Sequence, residues 1–581
     1  MRVPFGWLLP TVVAVFLPIG SALGADRLTI AYGLLERSVS IDSLSAYVNE
    51  GSIEGDFKDY VRYLEPEQLD NLRRILRTKA NLNHVAVAQF LYTDQGEALL
   101  RRLGEVIRTD SNLSGFYATR AAMIQAAEAP EGLTPLNVLK QFPLSNIRLD
   151  LERTLQILGD LDALVRQTQS AIALIDQQSI LEAGAEPWVP LPNLPDLRSV
   201  GSYTWQKRTL RLTDPERISQ NRSFLTDMYL PNSPRTIDPT LPSLFSANPQ
   251  PAPSLNAPLI VISHGLGSDR STYAYLAQQL ASYGFAVAVP EHPGSSSQQI
   301  QALISGGANE VTAPTEFVDR PLDIRYLLNQ LETLSQTDSR FAGRMNLNQV
   351  GVIGQSLGGY TALALAGAEI NQKQLAQDCQ NSDTLNLSLL LQCRALQLPQ
   401  TELTFRDDRI KAVIAINPIG SSLLGKTDLS KINVPVLIIS STADTVAPAL
   451  LEQILPFTWL QTPDKYLMLL EGGTHFSVID APNATSQNNQ VELPTELVGP
   501  NPKLAYLYLK AIGVAFFKTY VAEDSQYRTF LSAGYVSRIS QKTFPTSFVR
   551  SLTAAQLAKI FREVPLEPPP TGFDGNAWSG Q

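Results

Sequence analysis

Cysteine and histidine are scarce in this chain of 581 residues, which contains two of the first and four of the second. So few sulfur and imidazole ligands argue against a structural zinc site, and the sequence predicts neither a metal nor another cofactor. Lysine and arginine form no basic run, and the formal net charge is −9, which argues against a nucleic-acid partner. Apolar residues, at 44% of the chain, are numerous enough to bury a sizeable core.

Residues 1–24 have the pattern of a secretory signal peptide. Arg2 precedes a long apolar stretch, and small residues at Ala22 and Gly24 allow cleavage before Ala25. An uncleaved membrane anchor is the alternative, although three prolines in the segment favour cleavage. We therefore expect export to the periplasm or the extracellular space.

The two cysteines, Cys379 and Cys393, lie close together in the sequence. In an oxidising compartment, a single local disulfide is the natural expectation for such a pair. Two buried free thiols are the alternative. No histidine lies near either cysteine in the sequence, so neither has the surroundings of a nucleophile.

Residues 25–180 show the periodicity of amphipathic helices, of which Glu67–Leu76 is the clearest example. We predict a small all-α N-terminal domain that ends in a long linker helix over Leu149–Ile175. His84 lies in this region without a serine or carboxylate pattern around it, so we interpret it as a structural or surface residue. This domain is also our candidate for contact with a membrane surface or the cell envelope.

Residues 200–560 alternate between apolar runs and helical patterns, which predicts an α/β domain with a mostly parallel sheet and helices on both faces. Two strands with partial alternation, 203–212 and 222–230, would open it as an antiparallel pair. A polar stretch, 369–408, contains both cysteines and is expected to overhang the site as a lid. The Pro/Gly-rich residues 561–581 are expected to form a loose tail.

One stretch organises this second domain. The apolar run Val350–Ile353 is followed by Gly354-Gln355-Ser356-Leu357-Gly358 and then by the helix formers Thr361–Ala366. A serine between two glycines at a strand-to-helix turn is the nucleophile elbow of α/β-hydrolases. The glycines remove side chains that would collide across the turn. Ser356 is therefore the predicted nucleophile.

Two other residues complete a predicted Ser-His-Asp triad. Asp444 and His475 each follow an apolar strand, and the order Ser356, Asp444, His475 is the order that α/β-hydrolases use. His475 would accept the serine proton, and Asp444 would orient the imidazole. Another acid could follow the preceding strand, but Asn417 occupies that place. Glu471 is a weaker alternative as the acid.

An oxyanion hole is predicted from two backbone N–H groups. Leu357 follows the nucleophile, and Leu266 lies in a His-Gly-x-Gly turn after an apolar strand, where the first oxyanion donor is found in such enzymes. The two histidines near this turn, His264 and His292, are interpreted as residues that orient loops rather than transfer protons.

Several motifs resemble known hydrolase families. Those at 263–268, 280–285, 291–292 and 354–359 resemble the plasma platelet-activating-factor acetylhydrolase family, and 435–448 and 472–476 are similar to cutinases and polyester hydrolases. The complete layout resembles exported cyanobacterial α/β-hydrolases whose N-terminal domain has no assigned function. In the acetylhydrolases the acid follows the strand that ends here at Asn417, so the resemblance to cutinases is the one that implies Asp444.

The sequence therefore predicts a serine hydrolase that cleaves short-acyl, lipid-like or polyester carboxylic esters through an acyl-serine intermediate. An acyltransferase would use the same triad and differ only in the acceptor. A non-catalytic binding or scaffold protein with a vestigial hydrolase fold is the third possibility, and the presence of Ser356, Asp444 and His475 together argues against it.

Overall fold

The computed structural model describes residues 24–80, 82–186, 194–220, 222–234, 255–380, 384–399, 404–480 and 498–563. The predicted signal peptide, residues 1–24, lies outside the described residues except for Gly24. The predicted tail, residues 561–581, lies outside them except for 561–563, which belong to a helix and not to a loose tail. The chain folds as two compact units, Met1–Leu91 with Leu99–Thr154 and Tyr92–Ala98 with Leu155–Gln581. None of the described helices combines the length and apolar character that crossing a bilayer requires.

The first part of the chain contains helices and a small sheet. Its strands are β1 (Arg27–Tyr32), β2 (Leu35–Ser40), β3 (Ile107–Thr109) and β4 (Asn146–Asp150). Its helices are α1 (Ile41–Glu50), α2 (Lys58–Val61), α3 (Pro66–Arg77), α4 (His84–Leu91), α5 (Asp94–Val106), α6 (Phe116–Glu128) and α7 (Pro135–Lys140). A short 3₁₀ turn covers Gly55–Phe57.

The prediction that this N-terminal domain is all-α is wrong, because the four strands pair in the order β2-β1-β4-β3. Leu149, expected to begin the long linker helix, belongs to β4, and Ile107 begins β3. Arg27 at the start of β1 pairs in parallel with Asn146, far along the chain. Local periodicity cannot reveal such distant pairing, and strands of three to six residues carry little pattern of their own.

The second unit is built around a nine-stranded sheet. Its strands are β5 (Tyr203–Thr213), β6 (Ser223–Pro234), β7 (Ala257–Ser263), β8 (Ala286–Pro290), β9 (Met345–Gln355), β10 (Ile410–Ile416), β11 (Val436–Ser441), β12 (Lys465–Leu470) and β13 (Thr546–Val549). The helices from residue 151 onward are α8 (Leu151–Ala185), α9 (Ala274–Ser282), α10 (Ser297–Ile304), α11 (Glu316–Thr337), α12 (Leu357–Leu365), α13 (Gln372–Asp378), α14 (Leu387–Gln392), α15 (Ser421–Leu429), α16 (Leu455–Phe457), α17 (Pro502–Tyr520), α18 (Ala533–Ile539) and α19 (Ala554–Glu563). Further 3₁₀ turns cover Pro215–Gln220, Pro293–Ser295, Cys393–Gln397 and Ser525–Phe530, and Leu450–Ile454 forms a π-helical turn.

The strand order is β13-β12-β11-β10-β9-β7-β8-β6-β5. The six strands from β12 to β8 are parallel, which confirms the predicted mostly parallel sheet. The antiparallel opening pair is also confirmed, since β5 pairs with β6 along its length. One strand was not expected: β13 adds antiparallel to β12 at the edge of the sheet.

Helices cover both faces of this sheet, as predicted for an α/β fold. Along β7, Leu259 and Val261 belong to a buried cluster that includes Leu328 of α11. Ile260, between them, belongs to a second cluster that includes Phe516 of α17. Because both faces are buried, β7, β8 and β10 are apolar at nearly every position rather than alternating. The parallel strands therefore all present their carboxyl ends at one edge, where ligands bind in such sheets.

The predicted disulfide is present. Cys379 and Cys393 are bonded, with their Cα atoms 5.7 Å apart. The bond links the end of α13 to the 3₁₀ turn after α14, inside the stretch predicted to be a lid. Asn371, before α13, donates a hydrogen bond to Asp428 of α15, so the described part of this insertion packs on the helix that follows β10.

Candidate active site

The elbow has the strained geometry that the glycine pattern predicts. Ser356 joins β9 to α12 with φ 56° and ψ −118°, a left-handed backbone conformation that residues other than glycine rarely adopt. A methyl group on Gly354 would lie 1.8 Å from the carbonyl oxygen of Gly358, so the turn closes only without a side chain there. The backbone of Ser356 is therefore neither extended like β9 nor helical like α12.

Asp444 and His475 are hydrogen-bonded to each other. The Nδ1 atom of His475 lies 2.6 Å from Oδ2 of Asp444, and both residues are almost completely buried. The other carboxylate oxygen of Asp444 accepts the backbone N–H groups of Val446 and Ala447, at 2.8 and 2.7 Å. One carboxylate therefore caps the turn after β11 and also orients the imidazole. Because Nδ1 donates to the carboxylate, Nε2 is left to accept a proton.

Glu471, the alternative acid, has different neighbours. Burial raises the pKa of its carboxyl, the charge of Asp176 adds to that effect, and a hydrogen bond from Ser547 opposes it. Its backbone N–H donates to the carbonyl oxygen of Pro545. The carboxylate beside the His475 ring is that of Asp444.

Two amide side chains hold the backbone of His475. Gln355 and Asn417 donate from their side-chain nitrogens to the carbonyl oxygen of His475, at 3.2 and 3.4 Å. Asn417 also exchanges two hydrogen bonds with Ser441 and adopts φ 41°, a region that asparagine tolerates. Sequence reasoning noted Asn417 only as a place without an acid and missed its contact with the histidine loop.

The serine and histidine loops are joined through Gln355, which directly precedes Ser356. The Ser356 hydroxyl makes no hydrogen bond to the His475 ring among the described residues. In enzymes without substrate such catalytic hydrogen bonds are often long and tighten only in the complex. The predicted roles of Ser356, Asp444 and His475 stay predictions.

The two predicted oxyanion donors lie on backbone segments in close contact. A methyl group on Gly265 would lie 2.1 Å from the side-chain oxygen of Gln355, and one on Gly358 would lie 2.1 Å from the carbonyl oxygen of Ser263. Among the described residues, neither Leu266 nor Leu357 donates its backbone N–H to another protein group. Leu357 is buried and Leu266 is half-buried, so the backbone N–H group of Leu357 in particular is a donor whose cost is lowered by a ligand acceptor.

A cluster of buried and half-buried ionisable side chains contacts the Leu266 loop, and we call it the α11 charge cluster. Its members are His264, His292, Arg217, Arg222, Glu316, Asp319, Arg320 and Asp323. Sequence reasoning assigned loop-orienting roles to its two histidines but missed its arginines and acids. The sequence feature that could have predicted this cluster is the spacing of the charged residues of α11. They recur at positions that a helix packed on a sheet would bury.

A cavity of about 440 Å³ lies beside the disulfide-linked insertion. Its walls come from α13, α14, α15 and residues 451–459, and Leu389, Leu451 and Trp459 form part of its apolar lining. Gln374, Asp378 and Lys426 supply polar groups to the same cavity. Within the described ranges, no group of three or more histidine, cysteine, aspartate or glutamate side chains is arranged to hold a metal ion.

Two family models match the chain. Residues 24–150 match a model described as an alpha/beta hydrolase of unknown function (DUF1400). Residues 240–316 match that of platelet-activating factor acetylhydrolase, isoform II. The second match includes the Leu266 loop and ends before Ser356. Together the matches support a hydrolase and agree with the resemblance found in the sequence motifs.

Proposed function

We propose that the chain is a serine esterase that cleaves carboxylic esters through an acyl intermediate on Ser356. The observation that carries this proposal is the hydrogen-bonded pair of His475 and Asp444, whose loop is tied by Gln355 to a strained serine elbow. The match to an acetylhydrolase family model supports the same class of reaction.

In this mechanism the Ser356 hydroxyl attacks the ester carbonyl carbon while Nε2 of His475 takes its proton. The imidazolium that forms is stabilised by the carboxylate of Asp444. Collapse of the tetrahedral intermediate breaks the bond to the alkoxy group, which leaves with the proton from His475. A water molecule then attacks the acyl-serine by the same route and restores the free enzyme.

The N–H groups of Leu266 and Leu357 would bind the oxyanion of each tetrahedral intermediate. Each donor of this kind contributes roughly 3–4 kcal/mol of transition-state stabilisation in serine hydrolases. Both are free of protein acceptors among the described residues, which supports this role.

Short-acyl, lipid-like and polyester esters are the proposed substrate classes. An acyltransferase would share every residue named above and would differ only in the acceptor that attacks the acyl-serine. Export through the segment 1–24 is proposed together with the esterase, and the disulfide between Cys379 and Cys393 is compatible with an oxidising compartment.

A fluorophosphonate probe tests the proposal. We expect the probe to modify the folded wild-type protein on Ser356 and to leave Ser356→Ala unmodified at the same melting temperature. A series of p-nitrophenyl and phospholipid esters of increasing acyl length would then rank the substrate classes. Folded wild-type protein that neither reacts with the probe nor cleaves any ester would overturn the esterase and favour the binding or scaffold alternative.

A further inference from the structure

Hydrogen bonds join the α11 charge cluster and its neighbouring loop to the Leu266 loop. Arg320 donates to the carbonyl oxygen of His264 at 2.8 Å. The backbone N–H of His292 donates to Nε2 of the His264 ring at 3.0 Å, and Gly267 donates its N–H to the carbonyl oxygen of Ser295 at 2.9 Å. The loop is therefore fixed on both sides of Leu266.

The proton positions on His264 follow from these contacts. Nε2 accepts the N–H of His292, so it carries no proton, and Nδ1 donates to the carbonyl oxygen of Gly265 at 2.8 Å. Burial, followed by the charge of Arg320, holds the pKa of His264 well below its usual value. The neutral ring thus acts as a rigid link between the loop and the end of β8.

A second serine–histidine–aspartate set continues this link, and we call Ser263, His292 and Asp323 the inner set. Nδ1 of His292 lies 2.9 Å from Oδ2 of Asp323, and Nε2 lies 3.0 Å from the hydroxyl of Ser263. Two guanidinium groups hold the carboxylate, with Arg217 at 3.0 Å and Arg222 at 3.0 and 2.6 Å. The set therefore runs from α11 to the last residue of β7.

The inner set is neither accessible to a substrate nor suited to proton transfer. Its three side chains have no exposed surface for a substrate to reach. Burial and then the charges of Arg320, Arg222 and Arg217 hold the pKa of His292 well below its usual value, so the ring cannot readily accept the serine proton. The carbonyl oxygen of Ser263 also lies against Gly358, in the first turn of the elbow helix.

We propose that Ser263, His292, Asp323 and Arg320 are positioning residues that fix the direction of the Leu266 N–H in the oxyanion hole. This inference rests on the proposed esterase function. The contacts favour positioning over general stabilisation, because the bonds of Arg320 and of the His264 ring end on loop backbone two residues or fewer from Leu266.

The test compares two buried serines. Ser263→Ala removes the hydroxyl bonded to His292. Ser282→Ala is the matched control, because Ser282 is equally buried and its hydroxyl bonds to Gln279 and Gly201 at the opposite edge of the sheet. Active sites are titrated with a fluorophosphonate, and kcat and KM for a p-nitrophenyl ester are expressed per titrated site. Affinity for a trifluoromethyl ketone, which adds to Ser356 as a charged tetrahedral adduct, is measured in parallel.

For Ser263→Ala we expect kcat per site to fall by roughly 10- to 100-fold, less than loss of a whole oxyanion donor, with KM nearly unchanged. Affinity for the ketone should fall by a similar factor. Ser282→Ala should lose stability without changing either quantity. Arg320→Lys provides a second variant, because lysine keeps the charge but cannot hold His264 and Ser295 at once.

Unchanged kcat and ketone affinity per site in both Ser263→Ala and Arg320→Lys, beside an active wild type, would overturn this inference and leave the esterase standing. If Ser263→Ala does not fold, the result for Arg320→Lys decides. A wild-type protein without probe labelling or esterase activity would overturn the proposed function and this inference with it.

Discussion

Two sets of serine, histidine and aspartate lie in the same unit, and similar distances join their histidines to their acids. In the inner set, His292 is 2.9 Å from Asp323, and in the proposed catalytic set His475 is 2.6 Å from Asp444. A search for the three residue types at hydrogen-bonding distance would find the inner set, which even includes the serine contact. Distance alone therefore does not identify the reactive one.

The charges around the two acids separate the sets. Two guanidinium groups already neutralise the charge of Asp323, so its carboxylate does little to stabilise a protonated His292. Asp444 accepts two backbone N–H groups, which are neutral, and the His475 ring. Its negative charge remains available to an imidazolium. The arginines around Asp323 disfavour a positive charge on His292, because like charges disfavour the charged form of a histidine.

Replacing the acid of the catalytic set should produce the largest effect. Asp444→Asn keeps an oxygen that can accept from Val446 and Ala447, so we expect the fold to persist. The amide would present N–H to the His475 ring and favour the wrong tautomer, which lowers kcat by roughly 10⁴-fold in such triads. Ester turnover per folded protein measures the effect. Glu471→Gln is the control, and a loss of that size there with an active Asp444→Asn would reassign the acid.

Replacing the acid of the inner set should act on stability first. Asp323→Asn leaves Arg217 and Arg222 with less counter-charge in a place without solvent, and breaking a buried ion pair costs about 3–5 kcal/mol. Urea unfolding followed by tryptophan fluorescence measures the loss. Asp444→Asn, treated in the same way, should lose much less. Equal losses in the two variants would contradict the charge distinction drawn above.

The residues of the proposed catalytic set could be located from the sequence because each lies shortly after a recognisable strand. Apolar runs marked the parallel strands, and their carboxyl ends necessarily meet at one edge. The elbow at Ser356 added a local glycine pattern whose physical cause is visible at Gly354. Local chemistry and simple topology were sufficient to predict the contact between Asp444 and His475 and the strained turn at Ser356.

The inner set could not be predicted because its contacts are not local. Asp323 and Arg320 lie on α11, and their partners come from the ends of β7 and β8 and from the β5–β6 connection. Charged residues on a helix usually indicate a solvated face, and only the packed structure shows these ones to be buried. The N-terminal sheet was not predicted for the same reason, because β1 pairs with β4, which is distant from it in the sequence.

His292 of the inner set and the neighbouring His264 also predict a pH dependence of stability. The pKa values of His264 and His292 are held well below the usual value in the folded protein, whereas the unfolded chain binds protons near pH 6.5. Stability is therefore complete above about pH 6.5 and falls as the pH drops below it, by about 1.4 kcal/mol per pH unit for each histidine. Urea midpoints at pH 7.5, 6.5 and 5.5 measure the slope, and His84→Gln should not change it because His84 is exposed. A midpoint that is flat over this range would show that the two rings are not held neutral.

The smallest effect should come from Asn417, which ties the proposed catalytic histidine to the end of β10. Asn417→Asp keeps the shape, the tolerance for a left-handed backbone and the acceptor for the N–H of Ser441. It removes the donor to the His475 carbonyl oxygen and places a second acid near the triad. A lost hydrogen bond of this kind is worth about 1 kcal/mol, so we expect kcat to fall roughly 5- to 10-fold with little change in KM. Increased activity would instead mean that a carboxylate at this position can serve as the acid, as in the acetylhydrolases that the sequence resembles. In that case position 417 would differ from position 444 in how well its carboxylate reaches the imidazole of His475. The hydrogen bond to the backbone carbonyl oxygen of His475 would not be what distinguishes them.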